Sequence, residues 1–281
     1  MRFHNLLLSI LFITIISCNV TEVKKNDVAV SILPQKFIVD RITNKGLSVM
    51  VMVPPGQSPS TYEMTVRSAR KLSGVKIYLK IGHIIFEKSQ WKSIQSMNTS
   101  MKSYDVSRGV NLIRGTRDHH HGEIDPHLWL SPLAMKIVAA RTYEALSEIK
   151  PDEKSNYKKN YEKLLKEIDL LNKDLQEKLS QYKGNTLMVF HPAWGYFARD
   201  YKLTQLAIEH EGKEPGAQKM KELIDKAQNA QVKAILIQKQ FPKDVAQSIA
   251  NDLKIKIIQV DPLSYNWFNT MKDIQRAVTG Q

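Results

Sequence analysis

The sequence predicts an α/β protein of two βα lobes with parallel sheets, joined by one long helix. Three observations carry that prediction. Before residue 150, short apolar runs rich in Val, Ile and Met alternate with helix-like stretches. The same alternation returns after residue 184. Between them, residues 152–183 contain neither Gly nor Pro and keep a helical spacing of apolar positions. Strands that alternate with helices indicate βαβ units and a parallel sheet.

Taken in order, residues 1–18 stand apart. Met1-Arg2 gives a positive start, residues 6–16 are almost wholly apolar, and Ile16-Ser17-Cys18 closes the segment. That three-part pattern is a secretory signal and is too short to span a membrane. The single cysteine, Cys18, follows a small residue as in a bacterial lipobox, so it is expected to carry a lipid anchor. Residues 19–27 form a polar tether. Residues 28–33 read as a buried strand ended by Pro34, and 35–42 as a helix. Residues 49–53 repeat the strand signal and stop at Pro54-Pro55-Gly56, with a polar loop to Glu63 and a helix over 65–73. Residues 76–81 form a third strand ended by Gly82, and a weaker strand near 103–106 completes the N-terminal lobe, 28–150. Its last helix opens after Ser131-Pro132, with Ser at the cap and Pro in the first turn as helix starts prefer.

The connecting helix is assigned to 151–183. Tyr157, Tyr161, Leu164, Leu165, Ile168, Leu171, Leu175 and Leu179 fall three and four apart, and residues 151–181 as one helix would be about 46 Å long. The C-terminal lobe, 184–281, then gives strands over 186–190, 203–208, 233–237 and 256–260, with helices over 217–229 and 245–253.

The 281 residues carry a net charge of +13, and removal of the signal leaves +12. The lysines spread along helix-like stretches and do not cluster with aromatics, and an exported chain has little access to nucleic acid; the charge reads as solubility and attraction to acidic headgroups, with no nucleic-acid partner. A single Cys excludes an intramolecular disulfide and a thiolate zinc cluster, so any metal must take nitrogen and oxygen ligands.

The residues that carry chemistry are histidines. Four of the eight fall within Asp118-His119-His120-His121-Gly122-Glu123-Ile124-Asp125-Pro126-His127-Leu128-Trp129. The triplet reads as a solvated collector loop, since short His-rich tracts bind metal. His127, stiffened by Pro126 and anchored by Leu128 and Trp129 at the expected start of a helix, reads as one rigidly held imidazole. His191 and Asp261 each follow a strand and precede Pro, so both should project from the carboxyl edge of the second sheet, where open parallel sheets bind ligands. By itself His191 also fits a strand-end histidine capping carbonyls, His127 a helix cap, and Asp261 an ordinary turn former. Together, two imidazoles and a carboxylate make a zinc ligand set with a fourth place open, in a cleft between facing lobes that also takes in the Ser60 loop.

The chain resembles the zinc- and manganese-binding lipoproteins of ABC transporters, the metal-specific substrate-binding proteins. The passages that carry the resemblance are Val53-Pro54-Pro55-Gly56 with Tyr62-Glu63, Asp125-Pro126-His127-Leu128-Trp129, His191-Pro192-Ala193-Trp194-Gly195-Tyr196-Phe197, Glu214-Pro215-Gly216 and Asp261-Pro262-Leu263. The resemblance spans essentially the whole mature chain. It implies two lobes about a long helix, metal held in the cleft by His127, His191 and Asp261, and delivery to a membrane permease without catalysis. The position of His119 to His121 favours zinc over manganese. Two departures stand out. Ser60 occupies a place where the family usually has histidine, leaving water, Glu63 or a histidine of the 119–121 loop for the fourth place. Ile237-Gln238-Lys239-Gln240-Phe241 replaces a Glu-containing passage. The expectation is a monomeric, lipid-anchored zinc receptor, periplasmic or on the cell surface. The rivals are a manganese or iron receptor of the same class, a metal-dependent adhesin, and a secreted zinc hydrolase. The hydrolase lacks both His-Glu-x-x-His and Gly-x-Ser-x-Gly.

Overall fold

The strand β1, Val28–Val30, is buried on both faces, the environment of a central parallel strand. In a computed structural model describing residues 26–114, 124–209 and 213–280, it is flanked by β2, Val49–Val51, and β3, Ile77–Lys80, with β4, Lys102–Asp105, at the far edge. All pairings are parallel, in the order β2-β1-β3-β4. The second sheet repeats that order as β6-β5-β7-β8, from β5, Thr186–Val189, β6, Thr204–Ala207, β7, Ala234–Ile237, and β8, Lys256–Gln259. The two predicted parallel sheets are therefore present, with one topology used twice.

Helices cross between the strands. They are α1, Leu33–Thr43; α2, Val66–Leu72; α3, Ile85–Met97; α4, Pro132–Ile149; α6, Gly195–Tyr201; α7, Ala217–Asn229; α8, Asp244–Leu253; and α9, Trp267–Thr279. Three of them, α3, α6 and α9, were not expected from the sequence. The helix expected to open at His127 is a single 3-10 turn, Leu128–Leu130, and α4 starts afterwards. Ser131 caps α4 through its hydroxyl, which accepts the Ala134 N–H at 3.0 Å, so Ser-Pro sets the boundary.

The long helix α5, Lys154–Leu179, has 26 residues and so extends about 39 Å. It buries Tyr157, Leu164, Ile168, Leu171, Leu175 and Leu179, a stripe that packs on α1, α4 and α9. Tyr143 and Tyr161 stack across α4 and α5, centroids 5.0 Å apart.

The lobes are also stitched at the side. Trp129 Nε1 donates to Pro262 O at 2.8 Å, and Trp267 Nε1 donates to Trp129 O at 2.6 Å. Ser131 donates to Asp200. The C-terminal helix reaches back to α1, where Phe37 meets Phe268 edge-on with centroids 5.6 Å apart, so the last helix serves both lobes. The expected signal, Cys18 and the histidine triplet lie outside the described residues. Among those described, no helix is long and apolar enough to cross a membrane.

Candidate metal centre

A sheet of order 2-1-3-4 changes winding direction between its two central strands, and ligands bind at the carboxyl ends flanking that switch point. In the first sheet, the chain leaves β1 at Ser31 and β3 at Gly82-His83. In the second it leaves β5 toward His191 and β7 at Gln238. A cleft of about 230 Å³ lies there, lined by His83, His127, His191 and Gln238 among others, with the Ser60 loop on its rim. Sites for drug-sized ligands start near 300 Å³, so this volume suits an ion with a few waters.

His127 and His191 meet edge to face, ring centroids 5.3 Å apart. Each is oriented by a carboxylate. His127 Nδ1 is 2.8 Å from Asp125 Oδ1, and the same oxygen accepts the His127 backbone N–H at 2.9 Å. His191 Nδ1 is 3.0 Å from Glu209 Oε2, on a residue 5% exposed just beyond β6. Carboxylates accept and do not donate, so both neutral rings carry their proton on Nδ1 and keep a lone pair on Nε2. That is the tautomer in which carboxylates hold metal-ligating histidines. Phe241 stacks on His191, and Trp129 tilts against His127, both at 5.3 Å.

Asp125 is itself tightly placed. A Cβ on Gly195 would stand 2.8 Å from Asp125 Oδ2, so glycine there is what admits the carboxylate. Tyr196 O–H donates to Asp125 O at 2.8 Å and accepts the Ile113 N–H at 3.1 Å. Burial pushes the Tyr196 phenol up to about 12, so it keeps the proton that this clasp needs. Arg114 and Ile124 pair as an antiparallel bridge, and Asp125 N–H donates to Ile113 O at 2.9 Å. The described residues on either side of positions 115–123 are thus joined to each other at the cleft.

Ser60 and the expected ligands His127 and His191 share the cleft. Asp261 follows β8, the edge strand, and β7 lies between it and His191; two strand spacings are about 10 Å. Its neighbours Pro262 and Leu263 line the cleft, while Asp261 Oδ1 accepts the Leu263 N–H at 2.9 Å. Among the described residues, no three His, Asp, Glu or Cys side chains stand as a closed metal cluster. The paired imidazoles come together in the cleft; the Asp261 carboxylate does not line it.

His83, Glu209 and the orienting role of Asp125 were missed from the sequence. His83 follows a strand ended by Gly, as His191 follows a strand, but it lacks the Pro neighbour that singled out His191. Glu209 directly follows a predicted strand, but nothing in its spacing ties it to His191.

Two parallel-sheet lobes about a long helix, with paired imidazoles in the cleft beyond the strand ends, define a metal-specific substrate-binding protein. The chain belongs to the family described as ZnuA, zinc-uptake complex component A, periplasmic, whose model matches residues 28–279. It is 28% identical over 276 residues to a putative metal-binding protein of Chlamydia trachomatis, covering 95% of this chain and 98% of that one. It is 25% identical over 262 residues to the high-affinity zinc uptake system protein ZnuA of Yersinia pestis, covering 84% and 82%. A crystal structure of ZnuA superimposes with a TM-score of 0.85 at 33% identity, covering 91% of this chain and 99% of that one.

Proposed function

We propose that the chain is the extracytoplasmic receptor of a zinc-uptake system, which captures the ion in its cleft and delivers it to the membrane permease of an ABC transporter. The observation that carries this reading is the His127–His191 pair, each ring held through Nδ1 by a buried or half-buried carboxylate and offering Nε2. Preset imidazoles favour zinc over manganese, which prefers oxygen donors. Asp261 joins His127 and His191 as the carboxylate ligand, brought in as the loop that follows β8 closes on the ion. Family membership supports transport in place of catalysis. The signal pattern with Cys18 supports export and a lipid anchor, and the receptor is expected to act as a monomer.

Capture requires deprotonated imidazoles, so zinc affinity falls on acidification as the ligand rings take up protons. Titration of the full-length protein with zinc against a chromophoric chelator, repeated with manganese, tests the reading. One tight zinc per chain and far weaker manganese is the expected result. Equal or tighter manganese would transfer the assignment to that metal, and no tight site for either would end it.

A further inference from the structure

His83 also lines the cleft, half-buried, at the β3 side of the switch point in the first sheet. The turn that presents it is firmly built. Gly82 has φ +86°, and a Cβ there would stand 3.1 Å from Asp105 Oδ2. Glu87, 2% exposed, aims its carboxylate at the same turn, accepting the Ile81 N–H at 2.9 Å and also the Gly82 N–H. A carboxylate withdrawn from water is destabilising unless its partners are fixed, and here those partners are the two amides leading into His83.

The ring is suited to a metal. Among the described residues, its Nε2 makes only a long 3.5 Å contact, to Ser107 Oγ. The Ser107 hydroxyl donates to Asp105 Oδ1 at 2.7 Å, so its oxygen can only accept from Nε2–H, which leaves the lone pair on Nδ1. Burial lowers the pKa of His83, against the pull of Asp105, and keeps the ring neutral. The neighbouring Ser60 is a poor alternative: its hydroxyl is exposed and bonded to Ser58 Oγ at 2.7 Å. The two loops are joined, since Phe86 N–H donates to Pro59 O at 3.0 Å.

We propose that His83 is a metal ligand, the third imidazole of the cleft beside His127 and His191. The inference rests on the cleft being the zinc site. With Asp261 it gives a set of three nitrogens and one oxygen, which fills a tetrahedral zinc shell.

Two measurements on the full-length protein test it. In competitive zinc titration, His83→Ala should weaken binding by at least about tenfold, and Ser60→His in the His83→Ala background should restore part of the loss, because the two loops are joined. In long-range proton–nitrogen spectra of the histidine rings, one equivalent of zinc should move the Nδ1 resonance of His83 together with the Nε2 resonances of His127 and His191. Wild-type affinity in His83→Ala, or a His83 ring that does not respond while the other two do, overturns the proposal and leaves the receptor reading standing. Absence of tight zinc in the wild type overturns both. If His83→Ala does not fold, the spectra of the wild type decide.

Discussion

The two sheets share one strand order, yet they present their histidines on opposite sides of the switch point. In the second sheet the imidazole follows β5, at His191, and the β7 side carries Gln238. In the first sheet the imidazole follows β3, at His83, and the β1 side carries Ser31. The reason lies in where each lobe keeps its buried polar groups. Ser31 is committed inward: its backbone N–H donates to Gln35 Oε1 at 2.9 Å and its hydroxyl meets Tyr78 and Glu87. With that slot closed, the neighbouring strand end is the one open to the cleft. In the second lobe the corresponding slot holds His191, and its buried carboxylate, Glu209, faces the ring. The same topology therefore supplies two places per lobe, and the location of the buried acid decides which is used for binding and which for support.

The largest effect expected is from removing a paired imidazole. His191→Ala or His127→Ala should weaken zinc by more than about 100-fold in competitive titration, beyond the range that orienting groups control. Equal loss from the two would mean that the lobes contribute alike; a much smaller loss for either would break the pairing. Next come the orienting acids, Glu209→Ala and Asp125→Ala, each expected to cost about 10–100-fold. Asp125→Ala should be the worse, since one oxygen holds both the ring and the backbone N–H of His127. Gly195→Ala should weaken zinc by about tenfold or less by displacing the Asp125 carboxylate, while the His191–Glu209 pair stays intact; ring spectra that change at His127 alone would confirm the route.

The smallest effect is on the metal-free fold. Burial pushes the Glu87 carboxyl above its ordinary value, so the folded chain keeps that proton to a higher pH than the unfolded chain, whose Glu titrates near about 4.3. The stabilisation from this group is full below that value and is lost as the pH rises through the folded one. Thermal melts of the metal-free protein should show wild type losing stability relative to Glu87→Gln across that window. Parallel curves would mean that the Glu87 carboxyl titrates alike in the folded and unfolded chains.

The sheets were legible because central parallel strands are continuous apolar runs, and here Pro or Gly closes most of them, as at Pro34, Pro54 and Gly82. The helix α7 was legible to its ends, Ala217–Asn229. Helix α3 was not, because it buries only Phe86, Glu87 and Ile94 and starts without a side-chain cap, so neither period nor boundary stands out. Helix α6 has seven residues and opens on Gly195, a residue that ordinarily argues against a helix; what requires the glycine is the close approach of the Asp125 carboxylate from 70 positions away, which no local pattern encodes. The α9 stripe of Trp267, Met271, Ile274 and Val278 has a readable spacing, but its partner face on α1 and α5 is invisible in the sequence. At the site, His127 and His191 were announced by their Pro neighbours. Their shared geometry, and the acids that hold them, are tertiary.

The reach of α9 back to the first lobe bears on how the molecule assembles. Tyr265 O–H donates to Asp40 Oδ2 at 2.9 Å across 225 positions of sequence, and the Phe268 ring covers Phe37. Closing so long a loop carries an entropic cost that rises with its length, and chains dominated by such distant contacts fold slowly. The first lobe therefore cannot finish its core during synthesis from the N-terminus until Tyr265 and Phe268, more than two hundred residues further along the chain, have been made. Until those residues arrive, the N-terminal half stays an incomplete core, open to chaperones and proteases, and a chain truncated before Trp267 would remain in that state.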